Sequence, residues 1–290
     1  MNVSAWLETW FELYVVPSKL APSTVAMYRR SINAVPLWLA NTPLEALTPV
    51  EVQRWLVTVA RSTPRAAQLD RITITRAIKV ARKSGLCSCL LDEDTLPKVA
   101  HTPKQALVFT REEAHAYLEA IKHTRSYPLL LLCLVCGLRR GEALGLRWTD
   151  IDQSTGTISI SRQRQRINRQ YKTRPLKSRS AHRVLALPPD VLRIIQQQPR
   201  TVSGWILDAT PEQLRSDHLA AITAMHLPPV TIHGLRHTMA TIATAAGIPM
   251  KLLQTSMGHS TYKLTADLYA NHPFPPSTTP ALVWQGLAVV

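Results

Sequence analysis

Residues 128–142 read PLLLLCLVCGLRRGE, and they join the longest apolar run of the chain to a pair of arginines. The segment from Pro128 to Leu138 is apolar on nearly every side, which is typical of a helix buried in the centre of a domain. It is far shorter than the roughly 20 residues that a membrane-spanning helix needs. We therefore predict a central core helix, with Arg139 and Glu142 just beyond its carboxyl end.

The composition indicates a packed protein with a basic surface. The 290 residues include 34 Lys and Arg against 19 Asp and Glu, a net charge of +15, and 46% are hydrophobic. This length suits one large domain or two smaller ones. Glu8 and Glu12 argue against a signal peptide, so we expect a cytoplasmic protein with no membrane contact. No glycine-rich phosphate loop occurs, which argues against nucleotide-driven chemistry, and we predict no cofactor.

Residues 1–90 have the pattern of a small helical domain. Apolar residues recur at helical spacing near the start, after Ser23 as a helix cap, after the capping-box pair Thr48 and Glu51, and from about residue 66 to 85. This pattern predicts a bundle of four helices. Basic residues on its outer faces usually form only a solvated surface, but they also suit DNA contacts. The candidates for DNA binding are Arg29, Arg30, Arg76 and Lys79.

Residues 91–105 lack this periodicity and are predicted to be a linker. The second domain, residues 106–272, opens with another capping box, Thr110 and Glu113. Alternating patterns near residues 156–161 and 183–187 predict two strands of an antiparallel sheet. The predicted fold is therefore mainly α-helical, with a four-helix N-terminal domain and an α+β second domain that contains a small antiparallel β-sheet.

The segment from residue 162 to 183 contains nine Lys and Arg residues and no acid. A surface that neutralises several phosphates binds duplex nucleic acid in a steeply salt-dependent way. RNA, an acidic protein and an anionic membrane are alternative partners for charge alone. Double-stranded DNA is the partner that we expect, and two basic domains on a linker would close around it. The candidate contacts in this segment are Arg162, Arg164, Arg166, Lys172, Arg174 and Arg179.

Cysteine and histidine pairs raise the question of a metal site. Cys133 and Cys136 share one face of the apolar helix, so buried thiols are a better interpretation than zinc ligands. His233 and His237 are four residues apart, as metal ligands on a helix can be, but Arg236 in the same turn would repel a cation. We therefore predict no metal.

Four short motifs in the second domain carry the most specific signal. They are Arg139 with Glu142, Lys177 ahead of a predicted strand, the sequence HGLRH at residues 233–237, and GHS at residues 258–260, which Tyr269 follows. Together and in this order, they resemble the active-site set of the tyrosine recombinases, the lambda-integrase family. The resemblance extends over nearly the whole chain, because the helical bundle is similar to that family's core-binding domain and residues from about 106 onward to its catalytic domain.

The resemblance implies DNA strand exchange without a metal or cofactor. The two arginines, Arg139 and Arg236, would stabilise negative charge on the phosphate, with Glu142 orienting the first. Tyr269 would be the nucleophile that forms a 3′-phosphotyrosyl link. By the same resemblance, His233 helps with the tyrosine proton, Lys177 protonates the leaving 5′-oxygen, and His259 hydrogen-bonds the phosphate.

Two alternatives concern single residues in that assignment. Lys172 with Thr173 also resembles the family's lysine motif, although Arg183 and the strand after it favour Lys177. Tyr262 is a second tyrosine near the motif, but it lies too close to His259 to be the nucleophile.

The biological role has several candidates. We expect an integrase of a phage or mobile element that forms a homotetramer on paired sites, with a host DNA-bending or directionality factor as a candidate further partner. The chain starts directly with the bundle, so we expect it to act on simple core sites. A chromosome-dimer resolving recombinase, a monomeric type IB topoisomerase and a non-catalytic DNA-binding regulator are the alternatives. The apolar tail, residues 273–290, would dock on a neighbouring subunit or pack on its own domain.

Overall fold

The computed structural model describes residues 1–92, 94–96, 106–167, 170–176, 178–258 and 279–288. The chain forms two compact units, Met1–Lys104 and Gln105–Val290. Both follow the predicted class, since helices predominate and the strands that are described pair antiparallel. In the part of the chain that the structure describes, no helix is long and apolar enough to cross a membrane.

The N-terminal unit consists of helices around one apolar core. They are α1 (Val3–Trp10), α2 (Pro22–Asn33), α3 (Leu37–Ala40), α4 (Pro49–Ser62) and α5 (Pro64–Lys83), with a π-helical turn, Phe11–Val15, that continues α1. The four predicted helices correspond to α1, α2, α4 and α5, and α3 is a single additional turn. Leu56 and Ile78 lie in the core, where the indole nitrogen of Trp6 donates a hydrogen bond to the carbonyl of Ala77 (3.0 Å).

Of two predicted helix caps in this unit, one is confirmed and one is wrong. Thr48 and Glu51 form the predicted capping box at the start of α4, with Pro49 in the first helical position. Ser23, in contrast, does not cap α2. The N-cap is Ala21, because Pro22 takes the first helical position, where its missing N–H costs no hydrogen bond.

The second unit contains the remaining helices. They are α6 (Arg111–Ile121), α7 (Tyr127–Val135), α8 (Arg140–Leu144), α9 (Pro189–Gln196), α10 (Pro211–Ala224), α11 (Ile232–Ala245), α12 (Met250–Met257) and α13 (Thr279–Ala288). The Thr110–Glu113 capping box at the start of α6 is confirmed. Helix α7 is the predicted core helix, and its residues 128–135 are all buried.

Helix α7 ends at Val135, three residues before the predicted end at Leu138. The turn occurs at Gly137, whose φ of +62° is in the left-handed region that residues with a Cβ avoid. A Cβ there would lie only 2.3 Å from the terminal methyl carbon of Met239 in α11. The left-handed φ therefore favours glycine at this turn, and the turn places Arg139 at the start of α8 instead of on the last turn of α7.

Two small antiparallel sheets lie between α8 and α9. In the first, β2 (Thr157–Ile160) pairs with β1 (Ile151–Asp152) on one side and with β5 (Arg183–Ala186) on the other. Ile158 is opposite Leu185 and Ile160 is opposite Arg183. The second sheet is a hairpin of β3 (Arg162–Ile167) and β4 (Gln170–Pro175), which we call the basic hairpin.

Gly141 in α8 and Gly145, the residue directly after this helix, allow the basic hairpin to pack closely on it. A Cβ on Gly145 would lie 3.1 Å from the backbone nitrogen of Arg164, and a Cβ on Gly141 would lie 3.3 Å from the carbonyl oxygen of the same residue. Contacts this short leave little room for a side chain on either glycine. These two glycines thereby let strand β3 lie directly against the helix that carries Glu142.

The described part of the C-terminal tail is helix α13, which packs against α6, α7, α11, α12 and β5 of its own unit. Val283 and Leu287 are fully buried, and the indole nitrogen of Trp284 donates to a carboxylate oxygen of Asp190 (3.4 Å). The helix thus covers its apolar face within its own chain. Docking of the tail on a neighbouring subunit stays a prediction.

All four cysteines are free thiols, and three of them are buried. Burial raises the pKa of Cys136 to about 12, and it raises the pKa of Cys133 even further. In the N-terminal unit, burial and the neighbouring Cys87 raise the pKa of Cys89 to about 11. Cys87 itself is half-buried.

Candidate functional site

Arg139 is the N-cap residue of α8 and lies at the edge of the buried core. Glu142, one turn further along α8, holds it in two ways. One carboxylate oxygen accepts a hydrogen bond from Nη1 of Arg139 (2.7 Å), and the other accepts from its backbone N–H (2.9 Å). The Arg139 side chain is 39% exposed while that of Glu142 is 2% exposed, so the guanidinium points out of the core and the carboxylate anchors it from within.

Glu142 also binds a second arginine. Nη2 of Arg183, on strand β5, donates to the same oxygen that accepts the Arg139 backbone N–H, at 2.8 Å, and the Arg183 side chain is 4% exposed. Burial by itself would raise the pKa of Glu142, but the charges and hydrogen bonds of Arg183 and Arg139 outweigh it and lower the pKa. The carboxylate is therefore ionised at neutral pH.

Arg236 is almost completely buried and has no acidic partner among the described residues. Its Nη1 donates to the carbonyl of Gly137 (2.6 Å), and its Nη2 donates to the carbonyl of Met257 at the end of α12. Burial, with Arg139 and Arg183 nearby, lowers its pKa to about 9. That value is still above neutrality, and a guanidinium stays protonated in proteins, so Arg236 keeps its positive charge.

His233 lies one turn before Arg236 on α11. Thr231 caps this helix by accepting a hydrogen bond from the N–H of Gly234. The rings of His233 and His237 meet edge to face, with centroids 4.9 Å apart. Burial, followed by the charges of His237, Arg236 and Arg139, lowers the pKa of His233. The imidazole is therefore neutral at pH 7, the form that can accept a proton.

The end of helix α12 approaches both arginines. Nη2 of Arg139 is 3.5 Å from the carbonyl oxygen of Gly258, the residue directly after the carbonyl that Arg236 binds. Gly258 is left-handed, with φ of +63°. A Cβ there would lie 3.0 Å from the carbonyl oxygen of Ser180, so the position needs glycine for space as well as for conformation. The structure thus brings Arg139, Glu142, His233 and Arg236 together around the 137–139 turn and the end of α12.

Three residues of the sequence-based assignment lie outside the described residues. These are Lys177, His259 and Tyr269. His259 follows Gly258 directly in the chain, and Lys177 precedes the described Ser178. The roles of these three residues, and those of the four described ones, stay predictions.

The basic hairpin has acidic partners that its own sequence does not contain. Each of its three arginines on β3 reaches an acid from another part of the unit. The ion pairs are Arg162 with Asp150, Arg164 with Asp208 (3.6 Å) and Arg166 with Glu212 (2.8 Å). These pairs give the arginines a structural role beside the predicted one in DNA binding.

The other candidate DNA contacts of this region are less constrained. Lys172 is exposed and Arg174 is half-buried, both on β4. The backbone of Arg179 lies in a short 3₁₀ turn, Arg179–Ala181, but its side chain lies outside the described part of the structure.

The predicted cations of the N-terminal unit also differ in their surroundings. The guanidinium carbon of Arg29 lies 3.8 Å from the centre of the Phe11 ring, and its nitrogens pair with carboxylate oxygens of Glu8 (2.5 Å) and Glu12 (3.0 Å). Arg30 is 3.7 Å from the buried Asp70. Arg76 donates to the hydroxyl of a buried tyrosine, and Lys79, one turn along α5, is exposed. Lys79 and Arg76 border an open groove between α5 and the start of the chain.

Sequence reasoning used Arg183 only as a marker for Lys177 and missed its contact with Glu142. A signal was present, because Arg183 alternates with Leu185 and Leu187 on a period-two strand. That alternation places the arginine on the buried face. The acid that pairs with it is 41 residues away in sequence, so no local pattern identifies it.

The chemistry of this site follows from its charge balance. Among the described residues, three guanidiniums surround a single ionised carboxylate, which leaves an excess of positive charge at the surface where Arg139 emerges. Such an arrangement stabilises an anion with delocalised charge, and two arginines can do so for a phosphoryl group without a metal ion. No group of three or more His, Cys, Asp or Glu side chains among the described residues is placed to hold a metal.

Residues 108–274 match the phage integrase family, and this match covers more than half of the chain. The chain belongs to that family.

Known relatives agree with this membership. The tyrosine recombinase XerC-like protein of Caldanaerobacter subterraneus subsp. tengcongensis is 28% identical over 207 residues, which are 60% of this chain and 52% of that protein. The chain spans about half the length of the first curated relatives it matches.

Solved structures share the fold over most of the chain. The Tn1549 transposon integrase in complex with a circular intermediate DNA has a TM-score of 0.76, with 19% identity over 94% of this chain and 96% of that one. A lambda integrase tetramer bound to a Holliday junction has a TM-score of 0.70, with 19% identity over 91% of this chain and 79% of that one. At this level of identity the likeness concerns the fold.

Proposed function

We propose that this protein is a site-specific DNA recombinase of the tyrosine type. One observation carries the proposal: Arg139 and Arg236 donate to the successive carbonyls of Gly258 and Met257, so their guanidiniums are neighbours at the end of α12. Two adjacent guanidiniums match the two non-bridging oxygens of one phosphodiester. Double-stranded DNA is therefore the proposed substrate, and the cytoplasm is the proposed location.

In the proposed reaction, the phenol oxygen of Tyr269 attacks the phosphorus of one DNA strand. The new bond is a 3′-phosphotyrosyl ester, and the bond that breaks leaves a 5′-oxygen, which takes a proton from Lys177. Neutral His233 accepts the tyrosine proton, and the arginines stabilise the charge that develops on the phosphate. A 5′-hydroxyl of a second DNA then attacks the ester and releases Tyr269, so strands exchange without an external energy source.

We further propose that four copies act together on two DNA sites. The support is the similar fold of lambda integrase, whose tetramer is bound to a Holliday junction. An integrase of a mobile element is the favoured role, because the Tn1549 relative is a transposon integrase. Chromosome-dimer resolution is the second candidate, and the XerC-like relative favours it. Host bending and directionality factors belong to the same proposal.

Covalent trapping tests the activity directly. Wild type, Tyr269→Phe and Tyr262→Phe are incubated without metal with nicked duplexes tiled across DNA that flanks the gene, and the products are separated on denaturing gels. We expect a protein–DNA adduct with wild type and with the matched control Tyr262→Phe, and none with Tyr269→Phe. The tiled set also locates the site.

Other outcomes contradict parts of the proposal. An adduct that survives Tyr269→Phe and is lost in Tyr262→Phe would mean that the nucleophile is Tyr262. Equal DNA binding by all three proteins without any adduct would favour a non-catalytic DNA-binding regulator. Relaxation of a supercoiled plasmid by a monomer, without pairing of two sites, would instead indicate a topoisomerase.

A further inference from the structure

Arg183 is not one of the positions assigned from the family resemblance, yet it contacts three parts of the site. Its Nη2 donates to Glu142 (2.8 Å), and its Nη1 donates to the carbonyl of Ala181 (3.0 Å). A Cβ on Gly258 would lie 3.3 Å from the same Nη1. One buried side chain therefore links α8, the turn that precedes β5 and the end of α12.

The link to α8 is the one that reaches the reacting phosphate. Glu142 uses one oxygen for Nη1 of Arg139 and the other for both the Arg139 backbone and Arg183. A carboxylate held at both oxygens has one orientation, and the guanidinium of Arg139 takes its own orientation from it. Arg183 in turn is fixed by β5, whose ladder pairs it with Ile160.

We propose that Arg183 is a positioning residue for the strand-transfer reaction: it orients Glu142, and through Glu142 it aims the guanidinium of Arg139 at the scissile phosphate. This inference rests on the proposed recombinase function. A purely structural ion pair is the alternative, since a buried pair of this kind also holds β5 against α8.

Charge is a second way in which Arg183 acts on Glu142. Among the described residues, the titratable and charged groups that face this carboxylate are Cys133, Arg139, Arg183, His233 and Arg236. Burial alone raises the pKa of Glu142, and Arg183 is the strongest of the groups that lower it. Loss of Arg183 therefore raises the pKa of Glu142.

The test uses the full chain and a nicked duplex that contains the site found by covalent trapping. Arg183→Met removes the guanidinium, Arg183→Lys keeps a cation, and Ile195→Ala is a matched control that opens a cavity in the same core away from Glu142. We expect Arg183→Met to slow adduct formation by about 10- to 100-fold, the range found when an orienting partner is lost elsewhere. The DNA dissociation constant should change little, and Arg183→Lys should recover part of the rate.

A double-mutant cycle identifies the path of the effect. If Arg183 acts through Glu142, Arg183→Met has little further effect in a protein that already carries Glu142→Gln. Independent, multiplying losses would overturn the inference. An unchanged rate in Arg183→Met, or an equal loss in Ile195→Ala at the same folded fraction, would overturn it as well.

Titration of Glu142 by carbon NMR keeps this inference separate from the proposed activity. The measurement needs no DNA, and we expect the pKa of Glu142 to rise in Arg183→Met and to stay unchanged in Ile195→Ala. If wild type forms no adduct, the recombinase function is wrong. The titration then still decides the coupling, because an unchanged pKa in Arg183→Met would show that Arg183 does not control Glu142.

Discussion

Two groups of arginines lie in the same unit, and they differ in the number of acidic side chains that pair with them. On the basic hairpin, Arg162, Arg164 and Arg166 each have a separate carboxylate from another part of the fold. Around Glu142, two arginines, Arg139 and Arg183, share one carboxylate, and the neighbouring Arg236 binds two carbonyl groups and no acid among the described residues. The hairpin is richer in basic residues along the sequence, whereas the cluster around Glu142 has three arginines for one acid among the described residues.

A count of basic residues along the sequence therefore does not locate an anion-binding site. Ion pairs of half-exposed side chains, such as Arg166 with Glu212, stabilise a surface only weakly and keep exchanging with water. Buried arginines that lack individual acids remain charged and are held in place by carbonyl groups, as Arg236 is. Their charge is then fixed before any ligand arrives.

Stability should show the largest difference. Glu142→Gln removes the acid that Arg139 and Arg183 share, which leaves the buried Arg183 guanidinium without that counter-charge, so we expect a loss of about 3–5 kcal/mol in the free energy of unfolding. The matched variant Glu212→Gln, on the exposed hairpin pair, should have a much smaller effect. Urea denaturation of both variants measures this, and equal losses would remove the distinction between the two groups.

Catalysis should depend on the cluster almost as strongly. Arg236→Lys keeps a positive charge but loses the planar pair of donors, so we expect adduct formation to slow by about 10²- to 10³-fold. Arg140→Lys is the control, because Arg140 is exposed and neighbours the cluster in sequence. Single-turnover rates on the nicked duplex provide the measurement. If Arg236→Lys retains the wild-type rate, the fork geometry is irrelevant.

The pH profile probes the cluster through His233. Because burial and then the nearby charges lower the pKa of His233 from its usual 6.5, the neutral form persists below that pH. Adduct formation should fall only as the pH drops through this lowered pKa and His233 becomes protonated. His237→Asn removes one of the charges that lower the pKa, so the fall should move to higher pH, while the exposed control His123→Asn leaves it in place. A fall at the same pH in both variants would contradict this electrostatic assignment.

Salt dependence of DNA binding should give the smallest effect, and it concerns the hairpin alone. Lys172→Gln removes an exposed cation and should reduce the slope of log K against log salt by roughly 0.9, the value for one phosphate contact. Arg166→Gln should reduce the slope less, because Glu212 already competes for that guanidinium. Fluorescence anisotropy over a salt series compares the two. A larger change for Arg166 would mean that its ion pair opens on binding.

Sequence patterns predict the parts of this fold that depend on neighbours in the chain. The capping boxes at Thr48 and Thr110 are confirmed because both partners lie within one helical turn. The buried helix α7 and the strands β2 and β5 follow from periodicity for the same reason. The cap at Ser23 was wrong because Pro22 competes for the same helix start, and the pattern alone does not rank the two.

Contacts between distant parts of the chain cannot be predicted from local sequence patterns. Glu142 is near Arg139 in sequence, so the sequence predicts that pair. The contact of Glu142 with Arg183 depends instead on how β5 pairs with β2. The same holds for Asp150, Asp208 and Glu212, none of which lies within the basic segment. Only the register of the strands and the packing of the hairpin on α8 decide which arginine meets which acid.

The high pKa values of the buried thiols make this chain convenient for site-directed chemistry. Only a thiolate reacts readily with maleimides, disulfide reagents or mild oxidants, and Cys133, Cys136 and Cys89 are protonated at neutral pH. Cys87 is half-buried, whereas the other three cysteines are buried. A single Cys87→Ser change would therefore give a background on which one introduced cysteine carries a fluorophore or crosslinker, without the cavities that replacing the core thiols would create.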